Sequence, residues 1–188
     1  FELTDEMRAA LIAQQIDGAM LPDMAFADFR LIVSDMDSTL ITIECVDEIA
    51  AGVGLKDEVA KITEQSMRGE LDFEQSLRKR VALLAGLDER VLEEVYENVL
   101  QLSPGAEFLL EACKRNDVKF MLVSGVFTFF TERLQRRLGL DFHFANVLEV
   151  ENGKLTGRLK GRIIDAQAKT DLLREYRERL GLAPWQVV

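Results

Sequence analysis

Positive charge is in short supply here: 23 lysines and arginines stand against 33 aspartates and glutamates, a formal net charge of −10. A surface that acidic repels nucleic acid and anionic membranes, because neither partner offers counter-charge at long range. An anionic small molecule would have to be held by a local cluster of cations. Histidine occurs once, as His143 in Asp141-Phe142-His143-Phe144, with no nucleophile or second ligand close in sequence, and is read as structural. The two cysteines, Cys45 and Cys113, are too few for a disulfide scaffold; both are read as free thiols, which suits a reducing compartment. Long hydrophobic runs are missing too. The most apolar stretch, Phe120 to Phe130, is interrupted by Ser124, Gly125 and Thr128 and falls short of the roughly 20 residues a bilayer requires. No basic-then-apolar leader opens the chain. These absences point to a soluble, cytoplasmic protein whose partner is a small molecule, with no nucleic acid and no membrane; oligomeric state is not legible.

What is present is apolar material, 48% of 188 residues, enough for one medium domain or for a core domain carrying a smaller inserted one. Thr4 is placed to cap a helix whose first turn holds Asp5 and Glu6. Residues 1–29 therefore read as a helical segment that would close off an upstream domain. Leu31-Ile32-Val33 is a short continuous apolar run, as expected of a strand buried on both faces, and Val118 to Val123 is another. Residues 46–101 contain no such run and read as several short helices punctuated by Gly52, Gly54, Gly69 and Gly86. Ser103-Pro104-Gly105 predicts a new helix, with Ser103 as cap and Pro104 in its first turn. A helix over about 128–138 follows. Asn152-Gly153 then predicts a hairpin turn between Val147–Val150 and Lys154–Leu159, and a helix over about 166–180 leads to Val187-Val188. Strands alternating with helices imply an α/β fold, a doubly wound parallel sheet with helices on both faces. Residues 30–45 and 102–188 would form this core, and 46–101 a helical insertion after its first strand.

Asp35-Met36-Asp37-Ser38-Thr39 comes directly after the first buried strand, and open α/β sheets collect ligands outside the carboxyl ends of their strands. Two carboxylates so placed would protonate one of the pair or recruit a cation, and their hard oxygens suit Mg²⁺. The plainer reading is a polar turn at a strand end. Ser124-Gly125 ends the second strand with a hydroxyl and a backbone N–H that could hold a phosphate oxygen, or merely opens a loop. Lys169 lies in the first turns of a helix, where a cation is misplaced unless it serves an anion; an exposed lysine is the alternative. Arg80 shares a helical stripe with Phe73, Leu77, Val81 and Leu84. A guanidinium there needs an anionic partner, either a neighbouring glutamate or a substrate carboxylate. Met67 and Phe73 taken alone read as core residues.

Several of these segments together resemble the phosphoserine phosphatases of the haloacid dehalogenase superfamily. They are Asp35-Met36-Asp37-Ser38-Thr39 with Glu44-Cys45-Val46-Asp47-Glu48, then Met67-Arg68-Gly69-Glu70-Leu71-Asp72-Phe73, then Asp165-Ala166-Gln167-Ala168-Lys169. The resemblance runs from about residue 30 to the end. It implies that Asp35 attacks phosphorus to give an aspartyl-phosphate. Asp37 would protonate the departing serine hydroxyl and then deprotonate the attacking water. Mg²⁺ would be held by the Asp35 carboxylate and the Asp37 main-chain carbonyl, while Ser124, Gly125 and Lys169 hold the phosphoryl group. The insertion would be a mobile cap carrying Glu44 to the substrate ammonium and Arg80 to its carboxylate, with Met67 and Phe73 as apolar walls. The implied reaction is Mg²⁺-dependent hydrolysis of O-phosphoserine, the last step of serine biosynthesis.

Two departures accompany the resemblance. Val126 stands where such sequences usually carry a second glycine, so strain is expected if that position needs positive φ. The glycine-rich loop with a further acidic metal ligand and a substrate-contacting Asn is expected beyond Val188. The chain therefore reads as truncated, and on its own is expected to be nearly inactive. Two other functions fit some of the same residues. One is a phosphotransferase passing the phosphoryl group to another alcohol such as homoserine. The other is a receiver-like signalling domain, against which Asp37 and the helical insertion both count.

Overall fold

The computed structural model describes residues 2–18 and 23–188; Phe1 and residues 19–22, part of the expected N-terminal helical segment, lie outside them. Helix α1 (Asp5–Ala13) is capped as expected, with Thr4 Oγ1 accepting from Met7 N–H at 3.2 Å, but it buries no residue. Strand β1 (Leu31–Ser34) pairs in parallel with β2 (Lys119–Phe127). The other edge of β1 is met by the chain's last residues, Arg30 N–H donating to Gln186 O and Val188 N–H to Leu31 O. Between β1 and β2 run α2 (Cys45–Gly52), α3 (Lys56–Met67), α4 (Phe73–Ala82), α5 (Arg90–Asn98) and α6 (Ala106–Arg115). Then come α7 (Thr128–Leu138), β3 (Phe142–Glu151), β4 (Lys154–Lys160) and α8 (Ala166–Arg179).

The sheet has the order β1-β2-β3-β4, parallel except for the final antiparallel pair. Side chains alternate across a strand, and β2 uses both faces. Phe120 and Leu122 join the larger core with Phe130, Leu134 and Leu110 of α7 and α6. Met121 and Val123 turn the other way, with Leu31, onto Tyr176 and Leu172 of α8. Helices thus cover both faces, which makes the α/β class and the doubly wound arrangement concrete. Among the described residues no helix is long and apolar enough to cross a membrane.

Two local expectations change. Ser103 does not cap α6: its carbonyl accepts from Ala106 N–H in a turn, and Gly105, at φ 86°, is the residue preceding the helix. A left-handed glycine at that corner lets the chain enter the helix steeply, so Pro104 stays outside it. The hairpin itself pairs where its turn signal placed it, Val147 to Glu151 against Lys154 to Lys160, but its first strand is longer than expected. β3 begins as a parallel partner of β2 at Phe142 and becomes the antiparallel partner of β4 only from Val147. Its far end touches the helical insertion: Leu155 N–H donates to Leu87 O, Gly86 N–H to Leu155 O and Glu89 N–H to Gly153 O.

Candidate active site

β1 delivers Asp35 to the sheet's carboxyl edge, where the chain turns at once. Residues 36–40 make a wide turn closed by Ile41 N–H to Met36 O, with Ser38 in the left-handed region at φ 52°. For a non-glycine residue that conformation costs about 1–2 kcal/mol. In it, Ser38 N–H donates to Ile43 O at 3.1 Å and Ser38 Oγ donates to Glu44 Oε1 at 2.7 Å. The turn thereby places Asp35, Asp37 and Glu44 side by side.

Each acid is held differently. Asp35 Oδ1 accepts from Met36 N–H at 2.7 Å, and Oδ2 is 2.5 Å from Lys169 Nζ. Lys169 reaches it from the first turns of α8, whose cap is Asp165 Oδ1 accepting from Ala168 N–H at 2.8 Å. Asp37 Oδ2 accepts from Cys45 N–H, at the first position of α2, while Oδ1 is buried without a partner. Burial pushes the Asp37 carboxyl up to about 7, against the lowering effect of the Cys45 hydrogen bonds and with smaller upward pushes from the charges of Glu44 and Asp35. The Cys45 thiol is itself pushed up, chiefly by burial. It therefore stays protonated and unreactive.

Asp35, Asp37, Glu44, Val46, Phe73, Arg80, Gly125, Val126 and Lys169 line one cavity of about 170 Å³. Arg80 is half-buried, its Nε is buried without a partner, and no carboxylate among the described residues forms an ion pair with it. Of its two candidate partners, the neighbouring glutamate is absent. Phe73 meets the Ser124-Gly125 segment directly: a Cβ built on Gly125 would lie 2.7 Å from Phe73 Cζ. Ser124 is fully buried and its Oγ accepts from Val126 N–H at 3.0 Å. Val126 has no positive φ, so the expected strain is absent. Met67 does not join this group. It ends α3, does not line the cavity and is 84% exposed.

Residues 32–188 match the haloacid dehalogenase-like hydrolase family. A phosphoserine phosphatase of Polaromonas sp. is 51% identical over 172 residues, which are 89% of this chain and 73% of that protein. The chain belongs to this hydrolase family, among its phosphoserine phosphatases. Two solved structures carry the likeness into three dimensions. A HAD-family hydrolase of Salmonella enterica serovar Typhi is 33% identical with a TM-score of 0.89, over 99% of this chain and 65% of that one. A phosphoserine phosphatase solved as an analogue of its phospho-aspartyl intermediate is 38% identical with a TM-score of 0.78, over 85% of this chain and 76% of that one.

Within a haloacid dehalogenase-like hydrolase, three contributors to this site were not singled out from sequence. Ser38 orients Glu44, and the Cys45 amide orients Asp37. Asn146 is buried in β3 with both ends of its amide engaged. Only Asn146 left a signal, as a strand-averse polar residue inside the apolar run Phe142 to Val150. The single histidine remains apart from the site, with Nδ1 3.0 Å from Thr131 Oγ1.

Proposed function

We propose that the protein hydrolyses O-phosphoserine to serine and phosphate through a phosphorylated Asp35, as a cytoplasmic enzyme of serine biosynthesis. The observation that carries this reading is a single cavity in which Asp35, paired with Lys169, lies alongside Asp37 and an unpartnered Arg80. A phosphomonoester of an amino acid offers a match to each: phosphorus for Asp35, a leaving hydroxyl for Asp37, a carboxylate for Arg80 and an ammonium for Glu44. The phosphoserine phosphatase structure with a phospho-aspartyl analogue, and a phosphoserine phosphatase structure with substrate bound, support the same chemistry.

Asp37, pushed up to about 7, is suited to giving a proton to the departing alkoxide and taking one from water at neutral pH. Lys169 would exchange its contact with Asp35 for the phosphoryl oxygens, aided by the Ser124 hydroxyl and the Gly125 N–H. Residues 46–101 would act as a cap whose closure keeps water out until the serine has left. Phe73 would wall the closed site, and Met67 would reach it only after movement.

The donor set fits a hard divalent cation. Three acids face two cations in the cavity, so an arriving phosphate dianion adds to a negative excess. Mg²⁺ commonly binds through one or two carboxylates plus substrate phosphate; Asp35 and the Asp37 main-chain carbonyl would hold it. When bound, it supplies charge neutralisation for the carboxylate-phosphate encounter.

Phosphate release from O-phosphoserine by the purified full-length gene product, with Mg²⁺ and with excess chelator, is the test. Chelator should abolish turnover, and Asp35→Asn should abolish it with an unchanged circular dichroism spectrum. Arg80→Ala should weaken phosphoserine by well over tenfold, as loss of a charge-assisted bidentate contact does, and a phosphomonoester lacking the carboxylate far less. Turnover indifferent to chelator would refute the reading.

A further inference from the structure

The parallel ladder between β2 and β3 is broken at the residues that matter most. Val123 pairs with Phe144, yet the next pairing is Phe127 with Asn146, so residues 124–126 bulge out of register. A bulge of this kind re-aims its residues and interrupts the ladder's hydrogen bonds. Here it brings Gly125 and Val126 to the cavity that Asp35 lines, with Ser124 buried just behind them, while the Gly125 carbonyl needs a substitute partner. Asn146, 1% exposed, provides one: its Nδ2 donates to Gly125 O at 2.8 Å. Its Oδ1 accepts from Ile164 N–H, also at 2.8 Å. Ile164 immediately precedes Asp165, the cap of the helix that carries Lys169. Donor faces carbonyl and acceptor faces N–H, so neither leucine nor aspartate can reproduce both contacts.

We propose that Asn146 is a positioning residue that holds two phosphate-contacting groups, the Ser124-Gly125 bulge and the Lys169 helix, in register with Asp35. This rests on the reading that Ser124, Gly125 and Lys169 hold the phosphoryl group. Asn146 does not line the cavity, so it acts through the main chain on either side of it.

Steady-state kinetics with O-phosphoserine and saturating Mg²⁺ test the inference, with inorganic phosphate and L-serine as product inhibitors. The proteins compared are the full-length gene product without substitution and its Asn146→Asp and Asn146→Leu variants, each with a melting curve. Asn146→Asp preserves size and the Ile164 contact but sets an oxygen against the Gly125 carbonyl. It should lower kcat/KM by about 10- to 100-fold, the scale expected of small misplacements in a reacting constellation. Inhibition by phosphate should weaken in parallel while inhibition by serine persists. A folded Asn146→Asp protein with unchanged kcat/KM and phosphate inhibition overturns the inference, and so does equal weakening of phosphate and serine. Should both variants fail to fold, amide exchange in the unsubstituted protein decides. Saturating phosphate should slow exchange at Ile164 N–H, and no change there overturns the inference. An unsubstituted protein that binds phosphate but hydrolyses no phosphoserine would sink the functional reading instead, leaving the exchange result to judge Asn146.

Discussion

At the scale of single residues, the environment of Asp37 is the most consequential. One carboxylate oxygen rests on the Cys45 amide, the other is buried without a partner, and burial raises the group from its ordinary 3.8 to about 7. A carboxyl raised on folding favours the native state only while it is protonated. Its contribution is therefore fully present below the unfolded value and lost as pH climbs through the folded one. In metal-free protein, unfolding free energy measured by urea should fall between about pH 4 and 7 from this group. Asp37→Asn should flatten that slope, and an identical slope in the variant would show that Asp37 is not the group responsible. The same residue should matter to the rate. Without a proton donor, phosphoserine hydrolysis should slow by about 10²- to 10⁴-fold, with less effect on an aryl phosphate whose leaving group needs no proton.

Among the elements, the β3–β4 hairpin does more than its turn suggests. Asn152 and Gly153 take φ 53° and 74°, the doubly left-handed turn that matches strand twist. The turn and β4 then pair with residues 86–89 of the insertion and pack on α4. At Gly157, φ is +78° and an added Cβ would lie 2.8 Å from Ala85 Cβ. Gly157→Ala should cost about 1–3 kcal/mol by overpacking in addition to backbone strain. Gly161→Ala is the control, since that glycine has a similar φ of +76° with open space around it and should show the strain alone, about 1–2 kcal/mol. Denaturant midpoints compare them; equal losses would mean that the β4–α4 contact is not tight. By contrast α1 buries nothing, so its cap contributes to local helix order and little to global stability.

For the molecule as a whole, charge sets a long-range problem that the site answers locally. The protein carries −10 and the proposed substrate is itself anionic, so their encounter is repulsive until Arg80 and Lys169 come within reach. Salt shortens the range of that repulsion. Raising ionic strength at constant free Mg²⁺ should therefore increase kcat/KM by a few-fold, with kcat little changed. A fall in kcat/KM would mean that the two cations already dominate the approach field. Residues 46–101, proposed above as a cap, are also fastened away from their two ends. Thr42 N–H donates to Gln101 O where the chain enters and leaves, the hairpin pairs with residues 86–89, and Arg133 of α7 reaches Glu93 of α5 at 2.8 Å. Any cap movement has to carry or break the last two contacts.

Local patterns in the sequence were sufficient for most of the elements and for bringing forward Asp35, Asp37, Lys169 and Arg80, which the structure gathers round one cavity. Apolar runs marked β1 and β2, Asn152-Gly153 marked the hairpin, and a guanidinium on an apolar stripe singled out Arg80 without deciding its partner. Each rests on neighbours within a few residues, where steric and periodic rules act. The tertiary structure alone decided that Ser103 does not cap α6, that Val126 is unstrained, that the hairpin supports the insertion and that Met67 stands outside the cavity. It alone joined Asn146 to Gly125 and Ile164, 21 and 18 positions away. Such contacts depend on how strands are paired in space, and side-chain spacing along the chain carries no record of which distant carbonyl a bulge will leave unpaired.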